Sequence, residues 1–592
     1  MGRDSPTAVL RGLDGRVWSE LSLEAGVDAL DGRDEGRVPS GPTLLEAPSV
    51  DQPGQAGPDG APSSALAEAV FVRPRASALW DRASVRLRCL PDGVGLSTSV
   101  ATDGSPRAIT ELTLAGGRAV RPNGACGEFR SSIGFASVFV PGPGEPVQFM
   151  RPAGVPARLG LVGDAAPGRL NALFSPPPFV FVFSRGPAEW PALAPAGGGA
   201  TAGPEEWLAA AVRTALADAT FTDVAYEPLD GGWRVRLSYE GHTTVTDWTS
   251  PELLLEPVAD PWLALERDRD RHGVASPPAA PAWWLEPIFC GWGAQCARAA
   301  ASQASRPADL ACQANYDEWL ATLARDGVRP GTVVIDDKWQ ASYGAMTPDP
   351  RKWPDLKGWI ADRHAQGQKV LLWVKAWDPE GLPSSECVRD SAGRPVAADP
   401  ANPAYRRRLS AIVEALVSPE GLDADGCKVD FTQRGPSGAA LTAAGPEWGV
   451  LALHTWLATL HRAAKRAKPD ALIITHTVNP LFRDVMDMAR MNDVSVADAL
   501  GRPAPPAEQL AVRARVARAA LGAIPLDTDQ WPMPSRAAWL DYARAQARVG
   551  VPALYYVDAI DNSGEPLSGA DRREIARLWR GYRAAAGLDE SS

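Results

Sequence analysis

Cysteine and histidine are scarce in this chain, and neither is spaced as metal ligands would be. The seven cysteines (Cys89, Cys126, Cys290, Cys296, Cys312, Cys387 and Cys427) include no CxxC pair, and the six histidines never form HxH or HExxH. An odd, scattered set of thiols fits reduced cysteine better than a disulfide framework, and no zinc site or other metal is expected. Positive charge is also in deficit. The formal net charge is −11, with no basic stripe interleaved with aromatics, which argues against nucleic acid and against an anionic membrane surface as partners. Long hydrophobic runs are missing. Stretches such as ALVSPEGL and VVIDD are broken far short of a membrane span, and the opening MGRDSPTAVLRGLDGRVWSELSLEAG carries charge where a secretory signal needs an apolar segment. A cytoplasmic location is the resulting expectation.

What is present is ordinary in bulk and unusual in one respect. Over 592 residues, 45% are hydrophobic and 22% charged, which suits a soluble globular protein of more than one domain. Tryptophan stands out at 21 residues. Its flat apolar face and single N–H donor suit stacking against sugar rings, although most tryptophans serve as large core residues.

The chain has two grammars. Residues 1–66 are rich in Gly, Pro, Asp and Ser, and predict a flexible or irregular segment. From 67 to 272, short alternating runs such as SVRLRCL, AITELTLAGG, PFVFVFSRG, WRVRLSYEG and HTTVTDW are parted by Gly/Pro turns, which predicts an antiparallel β-sandwich. One helix, EEWLAAAVRTALADA, is expected to interrupt it. HGVASPPAAPAW, residues 272–283, reads as the connector.

From 283 to 590, short apolar strands alternate with longer helical stretches. The strands read as LEPIFCGWG, GTVVIDDKW, KVLLWVKAW, GCKVDF, ALIITHT, DMARMND, AIPLDTDQW and PALYYVDAI. Eight strands with helices between them predict a (β/α)8 barrel, whose chemistry gathers at the C-terminal ends of the strands. Those ends carry Asp336, Asp337 and Trp339; Trp373, Lys375 and Trp377; Lys428 and Asp430; His476; Arg490 and Asp493; Asp527, Asp529 and Trp531; Asp558 and Asp561.

Carboxylates among aromatics, without metal ligands or a phosphate loop, suit glycoside hydrolysis. There one carboxylate attacks or stabilises an oxocarbenium-like transition state while a second, protonated, releases the leaving oxygen. Asp430 and Asp493 stand two strands apart, compatible with the ~5–5.5 Å gap of a retaining enzyme. Asp484, Asp487 and Asp498 compete with Asp493 for the acid/base role. Lys428 and Asp430, at i and i+2 of one strand, point the same way. His476 has a scaffold role as its alternative, since a lone histidine is often simply hydrogen-bonded in place.

DGCKVDF, residues 425–431, resembles the nucleophile strand of glycoside hydrolase family 31, and its K-x-D core is shared with families 27 and 36. VVIDDKWQ resembles the strand-two IDDGW of family 36, and LEPIFCGWG the aromatic first strand of these families. The resemblance covers roughly 283–590 by motif and the preceding sandwich by architecture. It implies that Asp430 is the nucleophile and Asp493 the acid/base. It also implies that Lys428, Asp336 and Asp337 hold sugar hydroxyls, that Trp292, Trp339 and Trp373 line the pocket, and that Arg490 fixes a hydroxyl or the acid/base. Lys375 and His476 are further candidates for substrate contact. No cofactor is implied; the partner is an oligosaccharide or glycoside. Lys338 stands where family 36 has glycine, THTVNPLFRDVMDMARMND replaces its glycine-rich approach to the acid/base, and no C-terminal β-domain is expected after the last helix.

The expected activity is therefore that of a retaining α-glycosidase, α-galactosidase- or α-glucosidase-like. Three alternatives stay open at this point: a transglycosylase of the raffinose-synthase kind, a catalytically idle carbohydrate-binding barrel, and a metal-dependent barrel lyase or aldolase.

Overall fold

A computed structural model of the protein describes residues 7–11, 15, 17–22, 26–33, 67–73, 78–115, 137–139, 150–152, 157–160, 174–184, 207–229, 232–274, 279–302, 305–495 and 505–588. Alternating side chains in the first part build two antiparallel sheets. One runs, edge to edge, through 157–160, 223–229, 232–245, 107–115 and 27–29. The other runs through 67–73, 82–90, 93–101, 252–258, 207–213, 180–184, 137–139 and 150–152. Their inner faces meet in a common core. Tyr226 of the first sheet, for example, lies 5.9 Å and 5.1 Å from the rings of Phe181 and Phe183 of the second.

Three expectations need correcting here. The segment 1–66 is not irregular throughout. Thr7–Arg11 pairs with Val17–Ser22, and Val27–Ala29 adds an edge to the five-stranded sheet, where the Val27 carbonyl accepts from the Trp80 indole at 2.7 Å. Local alternation there outweighs the Gly/Pro-rich composition, which is concentrated in residues outside the described set. The expected helix EEWLAAAVRTALADA is instead the strand Trp207–Arg213 followed by a 3₁₀ turn, Leu216–Asp218. Its alanines favour helix locally. Placed between 252–258 and 180–184 and buried, though, the run gains a full ladder on each side, and pairing overrides propensity. Finally, WRVRLSYEG and HTTVTDW belong mainly to one long strand, Gly232–Val245. Its register slips between Ser238 and Thr243, where Glu240 and Gly241 take positive φ.

The helix Pro261–Arg271, capped by the Asp260 carboxylate, packs on the second sheet and leads toward the barrel. The barrel strands are β1 (Ile288–Cys290), β2 (Thr332–Ile335), β3 (Lys369–Lys375), β4 (Gly426–Asp430), β5 (Leu472–Thr475), β6 (Met488–Arg490), β7 (Leu526–Asp527) and β8 (Ala553–Leu554). They pair in parallel in chain order. β8 returns to β1, and a parallel bridge from Asp527 to Val551 joins β7 to the start of β8. Helices α1 (Trp292–Ser302) and α2 (Gln313–Arg325) follow β1. After them come α3 (Leu356–Ala365), α4 (Pro403–Val417), α5 (Gly449–Ala467), α6 (Pro506–Leu521), α7 (Arg536–Val549) and α8 (Gly569–Ala586). Only a 3₁₀ turn, Pro480–Val485, stands between β5 and β6. No helix among the described residues is long and apolar enough to cross a membrane.

The sandwich grips the barrel beside the end of β4. The first amides of α5, at Val450 and Leu451, donate to the carbonyls of Phe221 and Ala219. Gly449, at φ +56°, permits that approach, since a Cβ there would meet the Phe221 carbonyl at 2.0 Å. At the bulge, the Glu240 carboxylate accepts from Ser437, the Gly438 amide and the Trp448 indole, and His242 stacks on Trp448 at 3.5 Å. The loop following β4 is thus anchored from the other domain.

Candidate active site

The glycine of DGCKVDF is required by close approach. Gly426 has φ +147°, and a Cβ would meet the Leu472 carbonyl of β5 at 2.0 Å. Four residues on, Asp430 ends β4, and the chain then turns through Phe431 at φ +59°. The Asp430 carboxylate accepts from Arg490 at 2.7 Å, the Phe431 amide at 2.9 Å and the Trp373 indole at 3.2 Å. Burial alone would raise this carboxyl. The Arg490 guanidinium and the Lys428 ammonium outweigh it and hold Asp430 well below the usual carboxylate range.

Arg490, fully buried at the end of β6, joins three carboxylates. Besides Asp430 it donates to Asp529 at 2.6 Å and to Asp493 at 3.4 Å. One guanidinium therefore spans Asp430 and Asp493, so their nearest oxygens are separated by no more than roughly 8 Å. Asp493 sits at the mouth. Enclosure, together with the neighbouring charges of Asp529 and Asp430, pushes its carboxyl up to about 7 against the pull of Arg490. Contact with water tempers that rise, because 49% of its side chain is exposed. The barrel mouth thus holds two carboxyl groups of opposite bias within one guanidinium's reach.

The rival aspartates of strand six are elsewhere. Asp487 pairs with Lys465 and accepts from the Ile473 amide at the start of β5, and Asp484 faces His454. Asp498 lies outside the described residues. Asp529, which sequence reasoning placed in the ring without a role, is fully buried and saturated by Arg490 and by the amides of Gln530 and Trp531. Burial and the charge of Asp529 push neighbouring Asp527 up to about 6.

At the floor, Lys428 donates to Asp336 at 2.8 Å and to the Cys290 thiol at 3.4 Å, while that thiol donates to Asp336 at 2.9 Å. Asp336 outweighs burial and keeps Lys428 protonated. Both residues are almost fully enclosed, so each charge is satisfied first by the other. Asp337 stands higher on the wall and accepts from the Tyr343 hydroxyl at 2.8 Å. Burial, then Asp336 and Asp430, raise it to about 6 in spite of that bond and of Lys375.

The aromatic candidates separate. Trp373, expected to line the pocket, is a correction: it is fully buried, donates to Asp430 and packs edge-on between Tyr343 and Phe431, so it braces that carboxylate. Trp292 opens α1, half-buried at the mouth, 5.8 Å from the ring of Trp531. Trp339 is a correction: it is fully buried and donates to the Trp373 carbonyl at 2.7 Å, so it supports the wall from behind. Lys375 pairs with Asp378 at 2.7 Å and lies over the Tyr343 ring.

His476 is also a correction. It is completely buried and held between Thr432 and Gln433. Thr432 spends its hydroxyl proton on the Ser175 carbonyl of the sandwich domain, so the histidine Nε2 carries the hydrogen that Thr432 and Gln433 accept. Burial and Arg490 lower its imidazole to about 3, which leaves it neutral, with Nδ1 4.0 Å from Asp430. Sequence reasoning could not find Ser175; its only signal was the rigid SPPP run at 175–178. Among the described residues no group of three or more His, Cys, Asp or Glu side chains is arranged to hold a metal ion.

No protein-family model matches the chain, and no curated protein matches it in sequence. Solved structures match its fold. A family 31 sulfoquinovosidase from E. rectale, in complex with the aza-sugar inhibitor IFGSQ, has a TM-score of 0.58 at 13% identity, over 98% of this chain and 83% of that one. The family 36 α-galactosidase AgaA from Geobacillus stearothermophilus has a TM-score of 0.52 at 12% identity, over 95% of this chain and 76% of that one. A variant of AgaA in complex with 1-deoxygalactonojirimycin has a TM-score of 0.53. The chain therefore has the architecture of glycoside hydrolase families 31 and 36, antiparallel sheets followed by a (β/α)8 barrel.

Proposed function

We propose that this protein is a retaining α-glycosidase acting on a terminal α-linked sugar. The observation that carries the reading is the Arg490 junction, with an ionised Asp430 on one side and a proton-retaining Asp493 on the other. Two carboxyl groups whose environments push them apart are what a nucleophile and a general acid require. The shared fold supports the reading by analogy, since the two solved relatives are a sulfoquinovosidase and an α-galactosidase.

In the first step an Asp430 oxygen forms a bond to the anomeric carbon as the bond to the leaving oxygen breaks, and the Asp493 proton passes to that oxygen. In the second, Asp493 takes a proton from water, the water oxygen attacks the anomeric carbon, and Asp430 departs. Two inversions restore the α configuration. Lys428 and Asp336 at the floor and Asp337 on the wall are the charged groups for sugar hydroxyls, Trp292 offers an apolar face at the mouth, and buried Trp373 braces Asp430 through its indole N–H.

The test is a panel of aryl α- and β-glycosides, α-galactoside and α-glucoside foremost, with wild type and Asp430→Ala. Activity on an α-glycoside, lost in the variant and restored by azide as a β-glycosyl azide, is the expected result. Product analysis with an added acceptor sugar separates hydrolysis from transfer. Wild-type activity undiminished in Asp430→Ala would remove the nucleophile assignment.

A further inference from the structure

The acid/base candidate stands on backbone just beyond the last paired position of its strand. β6 is three residues long, and its last paired position is Arg490, opposite Asp527. Residues 491–495 continue beyond it, with Asn492 at φ +62°. On the inner side, the Met491 amide donates to the Asp527 carbonyl and the Val494 amide to the Trp531 carbonyl.

On the outer side stands a guanidinium. Arg513, buried in α6, aims one nitrogen at three consecutive carbonyls, those of Met491 at 3.0 Å, Asn492 at 2.9 Å and Asp493 at 2.7 Å. Its other terminal nitrogen donates to Gln509 at 3.0 Å, one helical turn earlier. Gln509 in turn accepts from the Ser495 amide at 3.1 Å and donates to the Ser495 carbonyl at 2.8 Å. Every one of these Arg513 bonds ends on a carbonyl or amide oxygen, and none on a carboxylate. Burying a cation without an ion-pair partner is costly, and satisfying backbone alone could be left to a neutral donor. What the guanidinium adds is a planar group of fixed shape, with one nitrogen sharing its two hydrogens among three successive carbonyls and the other tied to Gln509, so that the segment is held relative to the helix.

We propose that Arg513, with Gln509, is a positioning residue that sets the place of the Asp493 carboxyl over the scissile bond. The inference rests on reading Asp493 as the acid/base. It acts in the step that breaks the bond from the anomeric carbon to the leaving oxygen, where proton and oxygen must meet at hydrogen-bond distance. A leaving group that departs without a proton escapes this requirement. Arg513 therefore governs poor leaving groups and is nearly silent for good ones.

The experiment compares an alkyl α-glycoside with the α-glycosyl fluoride of the same sugar, using wild type, Arg513→Met, Arg513→Lys and Asp493→Ala. Thermal melts and crystal structures of the Arg513 variants accompany the kinetics. Arg513→Met is expected to lower kcat/KM on the alkyl glycoside about 100-fold and on the fluoride by less than about fivefold. Arg513→Lys recovers part of the loss. The Asp493 carboxyl moves in the variant structure while Asp430 stays. An equal fall on both substrates, or an unmoved Asp493 in Arg513→Met, overturns the proposal. If Arg513→Met does not fold, Arg513→Lys supplies both readouts, with the same signs and smaller size. If Asp493→Ala itself treats the two substrates alike, the acid/base reading fails. The crystallographic displacement then decides on Arg513 alone.

Discussion

Strand β4 is preceded by one aspartate, Asp425, and ends on another, Asp430, and the two lead different lives. Asp425 at the N-terminal face is sealed, with 1% of its side chain exposed. It accepts from His364 at 2.7 Å, the Val370 amide at 2.9 Å, Lys369 at 3.0 Å and Lys468 at 3.4 Å. Asp430 at the C-terminal face has three protein donors and keeps 20% of its side chain open. Burial opposes ionisation at both, and opposite charges and hydrogen bonds overcome it at both. The ionised state is thus shared and does not distinguish a functional carboxylate from a structural one. What distinguishes Asp430 is a side chain one-fifth exposed, bridged by Arg490 to a second carboxyl of opposite bias.

Exchanging the fates of these two residues gives the largest expected effect. Asp430→Ala should lower kcat on the order of 10⁴-fold, with little change in thermal stability. Asp425→Ala should do the reverse. Loss of a buried carboxylate leaves Lys369 and the Val370 amide without their acceptor, although Lys468 keeps Asp423 at 2.7 Å, and costs about 3 kcal/mol in denaturant unfolding, while kcat of the folded enzyme stays near wild type. A variant at Asp425 that abolishes turnover without loss of stability would collapse the distinction.

The pH profile sharpens it. As the proposed acid, Asp493 acts only while protonated; its carboxyl is pushed up to about 7, less whatever its half-exposed side chain gives back, so kcat/KM should fall as pH rises toward that region. The proposed nucleophile, Asp430, has to be ionised, so the acid limb should lie well below the usual carboxylate range. Asp529 raises Asp493 by like-charge repulsion. Asp529→Asn removes that repulsion and leaves Arg490 less neutralised, and both changes favour the ionised acid. The alkaline limb should therefore move down, by about one pH unit. An upward shift would contradict the three-carboxylate junction.

The tryptophans give the smallest effects. Trp292→Ala, at the mouth, should raise KM about tenfold with kcat nearly kept. Trp339→Phe, behind the wall, should cost about 1 kcal/mol of stability through the lost bond to the Trp373 carbonyl and leave KM unchanged.

Much of this was legible locally. The eight β–α alternations, with one helix missing after β5, can be read from period-two runs and helical faces, because those patterns are set by neighbours along the chain. The shared face of Lys428 and Asp430 follows from their spacing of two. The Trp207–Arg213 strand was not legible. Alanine-rich sequence carries no sign of the two flanking ladders that make it a strand. Nor could a histidine seated on the β5 end announce that Thr432 and the Ser175 segment would seal it in.

The sequence by itself thus determined the alternation that builds the barrel, the side of each strand that faces its axis, and which strand ends bear carboxylates, since all three depend on residues a few positions apart. Tertiary structure alone decided which charges meet. Lys428 finds Asp336 across 92 positions and Arg490 finds Asp430 across 60. Ser175 of the sandwich reaches Thr432 across 257. Those encounters exist only once the barrel closes and the sandwich docks, and they give neighbouring aspartates of one ring opposite bias, Asp430 held down and Asp493 pushed up.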